Sequence, residues 1–407
     1  MDILLLTPQL PYPTHQGTTL RNFNILSGLA GDHQIDLLSF DEREDPAGIP
    51  EPISALCRTV ESIAAPRRGT TKRVWQMATT RQPDMALRLH NEQYAAALEA
   101  CLRRQRYDIV QIEGIELAWT MPVIRQAAPD AAIVYDAHNA ETLLQSRSGA
   151  VDRDSIRRWP AAVYSGLQSA RLKEYEAWAC READSIVAVS EKDRLALLDL
   201  SGIDPQKIRV IPNSIDTASY DLTAVSVDDR LCFDIVFSGK MDYRPNVDAV
   251  LWFAGAVWPL IKQELPGATW AIVGQKPHPR LEPLHALTDV TVTGWVPDVK
   301  PYLAGAGVFI MPFRVGSGTR LKLIEALAAG CAVVSTGVGA EGFPVVDRQE
   351  LLFGDTAETF AAKSIMLLKD AQERAYLGER GKQFAQNYDW SVIVPRFQSV
   401  YDDLQDS

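Results

Sequence analysis

The chain has 407 residues, 46% of them hydrophobic, a length that predicts two or three domains with a buried core each. Its formal net charge of -11 argues against a nucleic-acid or generally anionic partner. The five cysteines are scattered without Cys-x-x-Cys spacing, which indicates reduced thiols in a cytoplasmic protein rather than disulfides or metal ligands.

The first strand is predicted at Ile3 to Leu6, four apolar residues with no basic residue before them, which is not typical of a signal peptide. No run of eighteen uncharged apolar residues predicts a membrane-spanning helix. A proline-rich loop ending at Gly17 leads into an amphipathic helix predicted at Leu20 to Ala30. A glycine between a first strand and a first helix suits a bound anion, but one glycine after prolines is also an ordinary turn.

Residues 65–88 mix basic and apolar side chains. This composition fits a surface that meets anionic lipid or a lipid-linked acceptor, and peripheral membrane contact is therefore one interpretation. A solvated helix with a few core contacts is the other, and it is the commoner case. The basic residues of the segment are Arg67, Arg68, Lys72, Arg73, Arg81 and Arg88.

Two short β-branched runs, Tyr107 to Glu113 and Ala132 to Asp136, predict further buried strands, and the second leads into His138. Open α/β sheets place their sites at the carboxyl ends of strands, where a neutral His138 could hydrogen-bond a sugar hydroxyl. A structural histidine with its hydrogen bonds satisfied is the alternative. A long helix, two more strands and a polar stretch from Thr217 to Arg230 follow, and that stretch predicts a linker because its apolar periodicity fails.

A second series of strands and helices begins at Cys232 to Phe237, which leads into Gly239-Lys240. Two successive alternating series predict two doubly wound halves. We therefore expect an N-terminal domain over residues 1–218 and a C-terminal domain over residues 219–387. The terminal helix, residues 388–407, is expected to pack back on the first domain through anchors such as Trp390 and Phe397.

The stretch from Phe313 to Glu341 carries the most chemistry. The turn Gly316-Ser317-Gly318-Thr319 opens onto a predicted helix, so it presents unpaired N–H groups and a positive dipole end that suit an anion. Arg320 and Lys322 add positive charge there, and Glu325 follows on the same side of the helix, where it could accept hydrogen bonds from ribose hydroxyls. A solvated helix would show the same local residues, so the motif gains weight only in combination with others.

In the order and spacing of its motifs, nearly the whole chain resembles a family 4 glycosyltransferase of the GT-B fold, in which two Rossmann-like α/β domains face across a cleft. The matching elements are the loop ending at Gly17, Asp136-x-His138-Asn139-x-Glu141, Val189-Ser190-Glu191, Ile211-Pro212-Asn213-Ser214-Ile215-Asp216, Phe237-Ser238-Gly239-Lys240, Gly294-Trp295-Val296-Pro297-Asp298 and the stretch from Phe313.

The resemblance implies roles for particular residues. Glu325 resembles the second glutamate of an E-x7-E motif and would hold the ribose of a nucleotide-sugar donor. The first glutamate, which holds the donor sugar, is replaced by Ser317. Lys240 matches a basic residue that neutralises the diphosphate, and its usual lysine partner is replaced by Pro245, so Arg320, Lys322 or Arg244 would supply the missing charge.

Further implied contacts come from both halves of the chain. His138 resembles the histidine that contacts the transferred sugar, Gly17 the loop that closes over the diphosphate, and Val296 the position whose backbone meets the base. The donor would also be bound by Gly239 and by the residues of the turn and the helix start, Ser317, Gly318, Thr319, Arg320, Leu321 and Lys322.

The implied activity is metal-independent transfer of a sugar, with retention of configuration, from a UDP- or GDP-type donor to a glycan, a lipid-linked sugar or a small molecule. No further cofactor is implied. The sequence Asp152-Arg153-Asp154 has the D-x-D form of metal-dependent transferases, but it lies in a polar segment that is typical of surface. A polysaccharide pathway, and a cytoplasmic location with membrane association at the inner face, are expected with that activity.

Two other functions stay open. A GT-B epimerase acting on the nucleotide sugar would need more acid–base groups than His138 and Glu141. A non-catalytic partner that keeps the fold would explain Ser317 and Pro245.

Overall fold

The computed structural model describes residues 1–14, 17–43, 48–69, 73, 75–76, 79–145, 159–316 and 318–406. The chain forms two compact units, Met1–Pro212 with Ile393–Ser407, and Asn213–Val392. Each unit is built on a parallel sheet with its own buried core.

In the described part of the first unit, seven parallel strands pair in the order β3-β2-β1-β4-β5-β6-β7. The five strands between the edge strands β3 and β7 are largely buried on both faces, which explains why strands such as Asp2–Thr7 appear in the sequence as continuous apolar runs rather than alternating ones. The strands are β1 (Asp2–Thr7), β2 (Gln34–Asp41), β3 (Thr59–Ala64), β4 (Ile109–Glu113), β5 (Ala132–Ala137), β6 (Ser185–Ala188) and β7 (Ile208–Val210).

Helices connect these strands, and polar side chains cap several of them. Asn91 accepts hydrogen bonds from the amides of Gln93 and Tyr94 at the start of one helix, and Ser190 caps another. The described helices are α1 (Gly17–Leu29), α2 (Glu51–Ser54), α3 (Asp84–Arg88), α4 (Glu92–Arg104), α5 (Met121–Ala127), α6 (Trp159–Glu182) and α7 (Glu191–Ser201), with 3-10 helices at Ile115–Thr120 and Pro205–Lys207.

The second unit, over its described residues, has six parallel strands in the order β10-β9-β8-β11-β12-β13. They are β8 (Phe233–Ser238), β9 (Trp270–Val273), β10 (Val290–Val292), β11 (Ala306–Met311), β12 (Val333–Ser335) and β13 (Leu352–Phe353). The helices are α8 (Arg244–Trp252), α9 (Trp258–Glu264), α10 (Lys300–Ala304), α11 (Leu321–Ala328), α12 (Ala357–Lys369) and α13 (Ala371–Ala385). The last helix, α14 (Trp390–Gln405), begins in this unit and belongs to the first unit from Ile393 onward. Short helices lie at Phe253–Val257, Pro279–Ala286 and Gln386–Tyr388.

The predicted linker has regular structure of its own. Residues 217–229 form three 3-10 helices, Thr217–Tyr220, Leu222–Ala224 and Val227–Asp229, within the second unit. The side chains of Asp216, Asp221 and Ser226, which precede these turns, each accept hydrogen bonds from backbone amides within them. Side-chain caps thus stabilise the segment without the apolar periodicity that a longer helix would show.

The strand orders locate the candidate sites. In the first sheet β1 and β4 are neighbours although other strands separate them in the chain, and in the second sheet the same holds for β8 and β11. Loops leaving the carboxyl ends of such strands diverge and open a crevice for ligands. The residues that follow β1 and β4 in the first unit, and β8 and β11 in the second, are therefore where chemistry is expected.

Candidate functional site

In the second unit, the loop after β8 meets the start of α11. Gly239 follows the last residue of β8 with φ 155°, and a Cβ atom there would overlap the amine of Lys322 and lie 2.8 Å from Nδ2 of Asn246. Glycine is therefore the residue that lets a lysine from α11 reach the end of β8.

The side chain of Lys322, on α11, reaches into the loop that follows β8. Its Nζ donates to the carbonyl oxygen of Ser238 and to Oδ1 of Asn246, each at 2.9 Å. It also lies 5.0 Å from the ring centroid of Phe237 and 5.2 Å from that of Phe313. Burial lowers the pKa of Lys322 to about 7; Glu325 opposes this shift and the nearby Arg320 adds to it.

Arg320 precedes the first residue of α11 and is only 8% exposed. Its guanidinium lies 4.3 Å from the ring centroid of Phe313, and Nε donates to the carbonyl oxygen of Val338 at 3.1 Å. Within the described part of the chain its buried Nη2 has no hydrogen-bond partner. Burial lowers the pKa of Arg320. A buried guanidinium with an unsatisfied N–H is a ready partner for an anion.

The turn closes against Arg320, because a Cβ atom on Gly316, whose φ is 115°, would lie 3.0 Å from Nη2. Gly318 also has a positive φ, of 80°. Thr319 Oγ1 accepts a hydrogen bond of 2.6 Å from Nδ2 of Asn213. Ser317 lies outside the described residues, and Leu321 is the half-buried first residue of α11.

Glu325 is half-buried, one turn along α11 from Lys322. Burial raises the pKa of Glu325, against the hydrogen bond from Tyr220 and the charge of Lys322. Tyr220 ends the first 3-10 helix of the predicted linker. The sequence analysis missed Tyr220, because nothing in its local pattern relates it to a glutamate 105 residues later.

The other residues predicted for the donor occupy the surrounding loops. Lys240 is exposed, and its Nζ lies 3.6 Å from Oδ1 of Asp242. Arg244 is the exposed first residue of α8, and Pro245 beside it is buried. Val296 is half-buried in the loop between β10 and α10. Three cations were suggested to replace the lysine that is missing at Pro245. Two of them, Arg320 and Lys322, lie at the start of α11, whereas Arg244 lies at the start of α8.

His138 in the first unit is held by a residue that the sequence analysis did not single out. Its Nε2 lies 2.8 Å from Oε2 of Glu113, the fully buried last residue of β4. Burial works to lower the pKa of His138, but the hydrogen bond and charge of Glu113, with the charge of Asp136, outweigh it and raise the pKa. Gly17 is the first residue of α1 in this unit. The sequence did contain a signal for Glu113. It is an acidic residue at the end of one strand, and His138 follows the end of the neighbouring strand.

A second buried ion pair lies next to Glu113 and His138. Arg21 of α1 donates to both carboxylate oxygens of Asp136, from Nε at 2.9 Å and from Nη2 at 3.0 Å. Glu113, Asp136 and His138 bring possible metal-ligand atoms within 4.8 Å of one another. Because a guanidinium already binds both oxygens of Asp136, this donor set fits a cation poorly. The sequence Asp152-Arg153-Asp154 lies outside the described residues.

Two family models match the chain. One, described as Glycosyltransferase Family 4, covers residues 17–219, and the other, Glycosyl transferases group 1, covers residues 232–370. Phosphatidyl-myo-inositol mannosyltransferase of Mycolicibacterium smegmatis is 30% identical over 53% of this chain and 56% of its own. A phosphatidylinositol N-acetylglucosaminyltransferase subunit of Arabidopsis thaliana is 26% identical over 59% of this chain and 54% of its own. The matched region thus spans about half the length of these curated relatives.

Solved structures with the same fold cover the whole chain. Sucrose-phosphate synthase of Thermosynechococcus elongatus has a TM-score of 0.73 at 18% identity and covers 100% of both chains. Anabaena HepE in complex with UDP has a TM-score of 0.68 at 15% identity, over 99% of this chain and 100% of its own.

The two parallel-sheet units have the fold of the GT-B glycosyltransferases. The chain belongs to the family 4, group 1 glycosyltransferases, as the two family models show. No helix among the described residues is both long and apolar enough to cross a bilayer.

Proposed function

We propose that this chain transfers a sugar from a nucleotide-diphosphate donor to an acceptor hydroxyl, and that the start of α11 holds the diphosphate. The observation that carries the proposal is the pair at the start of α11. Arg320 is buried with an Nη2 that has no hydrogen-bond partner among the described residues, and Lys322 is half-buried with its Nζ at the end of β8. A buried guanidinium with a second cationic side chain beside it is costly to keep unless an anion binds there. Glu325, one turn further, would accept hydrogen bonds from the ribose.

In the proposed reaction the bond between the anomeric carbon and the diphosphate oxygen breaks as the acceptor oxygen bonds to that carbon. The acceptor proton passes to the departing phosphate on the same face, so configuration is retained. Negative charge grows on the phosphate oxygens during this step. Arg320, Lys322 and the positive end of α11 therefore stabilise the transition state more than the ground state.

We propose that the reaction needs no metal ion, because these side chains supply the positive charge that a divalent cation supplies elsewhere. The bidentate Arg21–Asp136 pair is consistent with this, since it engages the carboxylate that a metal near His138 would need. His138, held by Glu113, would then serve as a hydrogen-bonding group for the transferred sugar rather than as a ligand.

The donor and acceptor classes are proposed from the relatives. HepE structures contain UDP and UDP-glucose, which favours a UDP-sugar as the first donor to test, with a GDP-sugar as the alternative. The two curated relatives described above are named for phosphatidylinositol lipids. We therefore place a lipid-linked acceptor ahead of a free glycan or small molecule, and expect action at the cytoplasmic face of a membrane.

The test is incubation of the full chain with a panel of UDP- and GDP-sugars, with and without EDTA, while released nucleotide diphosphate is measured. Release that needs an acceptor and is unchanged by EDTA supports the proposal. Isomerised donor would instead identify an epimerase, and binding without turnover a non-catalytic partner. Loss of release in EDTA, restored by a divalent cation, would contradict metal independence.

A further inference from the structure

Polar side chains occupy one buried face of β4. Gln111 and Glu113 are two residues apart on this strand, so both point to the same side of the sheet, and both are fully buried. A buried amide or carboxylate destabilises a protein unless hydrogen bonds satisfy it. The partners of these two residues therefore show what this face of the strand holds in place.

The first partner comes from the C-terminal helix. The hydroxyl of Tyr401, a fully buried residue of α14, donates to Oε1 of Gln111. The amide nitrogen of Gln111 in turn donates to Oε1 of Glu113. Donation to the amide oxygen polarises the amide and strengthens the hydrogen bond that its nitrogen donates. A hydroxyl on α14 thus acts on Glu113 through one glutamine.

The other carboxylate oxygen of Glu113 faces two nitrogen atoms. Asn22 on α1 is satisfied with its amide nitrogen 2.8 Å from Oε2 of Glu113 and 3.2 Å from the carbonyl oxygen of Thr18. Nε2 of His138 lies 2.8 Å from the same Oε2. The Glu113 carboxylate is therefore surrounded by N–H groups, and its ionised form is the one that accepts from all of them.

These donors decide which nitrogen of His138 carries the hydrogen. Burial and the charge of Asp136 raise the pKa of Glu113, and the hydrogen bond and charge of His138 oppose them. N–H donors stabilise an ionised carboxylate, so the amide of Gln111 acts in the same sense as His138. Because an ionised Glu113 can only accept, the neutral His138 ring is held with its hydrogen on Nε2 and a lone pair on Nδ1.

Nδ1 is then the nitrogen of His138 that can accept a hydrogen bond from a sugar hydroxyl. It lies beside Gly114, where a Cβ atom would stand 3.7 Å from it. The His138 side chain is 17% exposed, whereas that of Glu113 is fully buried. The buried hydrogen bonds therefore fix one nitrogen of the ring while part of the ring stays open to solvent.

Neither Gln111 nor Tyr401 brings a charge to the histidine. Burial raises the pKa of Tyr401 well above its usual value, so its hydroxyl keeps its proton. Replacing either residue changes the hydrogen bonding of Glu113 and removes no charge. The charged groups near His138 come from the surrounding elements: Glu113 on β4, Asp136 on β5, Arg21 on α1, Glu141 after β5 and Glu116 on the 3-10 helix Ile115–Thr120.

We propose that Gln111 and Tyr401 are positioning residues for sugar transfer, which act through Glu113 to hold neutral His138 in the Nε2–H form, so that Nδ1 accepts a hydrogen bond from a hydroxyl of the transferred sugar. The role in transfer rests on the proposed function, but the state of the ring can be measured without turnover. α14 takes part in the site through Tyr401, and its Phe397 packs against Arg21, with the guanidinium 5.3 Å from the ring centroid.

The first measurement is the ¹⁵N spectrum of the full chain labelled on its histidine rings, with the His138 signals identified from His138→Gln. In the wild type the neutral ring should carry its hydrogen on Nε2, and Nδ1 should take up a proton as the pH falls. The midpoint of that uptake should rise by about one pH unit in Gln111→Met, because Glu113 loses a donor and attracts a proton to the pair more strongly. Tyr401→Phe should raise it by less.

Tyr94→Phe is the matched control. It also removes a fully buried hydroxyl of the first unit, one that donates to the carbonyl oxygen of Leu38 at 3.0 Å, and it should leave the His138 midpoint unchanged. The double variant of Tyr401→Phe with Gln111→Met should shift the midpoint no further than Gln111→Met alone, because the tyrosine acts through the glutamine.

Turnover supplies a readout that a merely structural role would not move. The acidic limb of the pH profile should move to higher pH in Gln111→Met, whereas Glu113→Gln, which removes the carboxylate charge, should move it to lower pH. Affinity for UDP, which lacks the sugar, should match the wild type in every variant.

An unchanged midpoint in both Gln111→Met and Tyr401→Phe, or a neutral wild-type ring with its hydrogen on Nδ1, would overturn the inference. A midpoint that shifts while the turnover profile of the active protein does not would overturn the role in transfer. If the wild type transfers no sugar while the midpoint still depends on both residues, the proposed transferase function fails and the hydrogen-bonded chain to His138 stands.

Discussion

Lys322 makes donor binding depend on pH in a direction that can be calculated. Burial lowers its pKa to about 7 in the ligand-free site, and a bound diphosphate would raise it again through the opposite charge. The protonated amine is the form that binds phosphate. Affinity is therefore fully present below pH 7 and is lost as the pH rises above 7, until the pKa of the complex is reached.

The size of the effect follows from that pKa. At pH 8 about one molecule in eleven carries the proton on Lys322, against about nine in ten at pH 6. The dissociation constant for the donor should then be about tenfold larger at pH 8, equivalent to about 1.4 kcal/mol. UDP-glucose is the appropriate ligand, because neither of its phosphates takes up a proton in this range.

The assay is calorimetry at pH 6 and pH 8 in buffers with different ionisation enthalpies, which also counts protons. We expect uptake of close to one proton per UDP-glucose bound at pH 8 and almost none at pH 6. Lys322→Met should bind more weakly and lose the linked proton. Lys369→Met, which removes an exposed lysine 3.7 Å from Glu264, is the control and should match the wild type. The same affinity at both pH values, or proton uptake that persists in Lys322→Met, would refute the reasoning.

Four further changes test other parts of the two units. Glu325→Ala should weaken nucleotide-sugar binding about tenfold, or about 1.4 kcal/mol, because it removes the ribose acceptor; wild-type affinity would reject that role. Gly239→Ala should abolish donor binding, since its Cβ would displace the amine of Lys322, and should also lower the melting temperature, because a φ of 155° is strained for alanine. Glu113→Gln should lower the pKa of His138 and move the acidic limb of the turnover profile to lower pH, while UDP-glucose affinity measured by calorimetry stays the same. Phe397→Ala, at a fully buried position, should lower the free energy of unfolding by about 3–5 kcal/mol in urea titrations, and a loss below 1 kcal/mol would contradict its role as an anchor of α14.

Much of the fold could be predicted because the strands of a parallel sheet are short buried runs that the sequence shows directly. Ile3 to Leu6 and Cys232 to Phe237 begin two such series, and β1 and β8 lie there. β3 and the two-residue β13 were not predicted. Thr59–Ala64 is largely half-exposed, and a two-residue strand is too short to carry a pattern.

The sequence by itself also located the turn before α11, because Gly316, Gly318 and the spacing from Lys322 to Glu325 are local features. Only the tertiary structure decided which cation enters the site. Lys322 reaches a carbonyl 84 residues earlier in the chain, whereas Lys240, next to the same loop, is exposed beside Asp242. Burial and the resulting pKa depend on packing between distant segments, and no local pattern encodes that packing. For the same reason, the partner of His138 became visible only once the strands and helices were assembled.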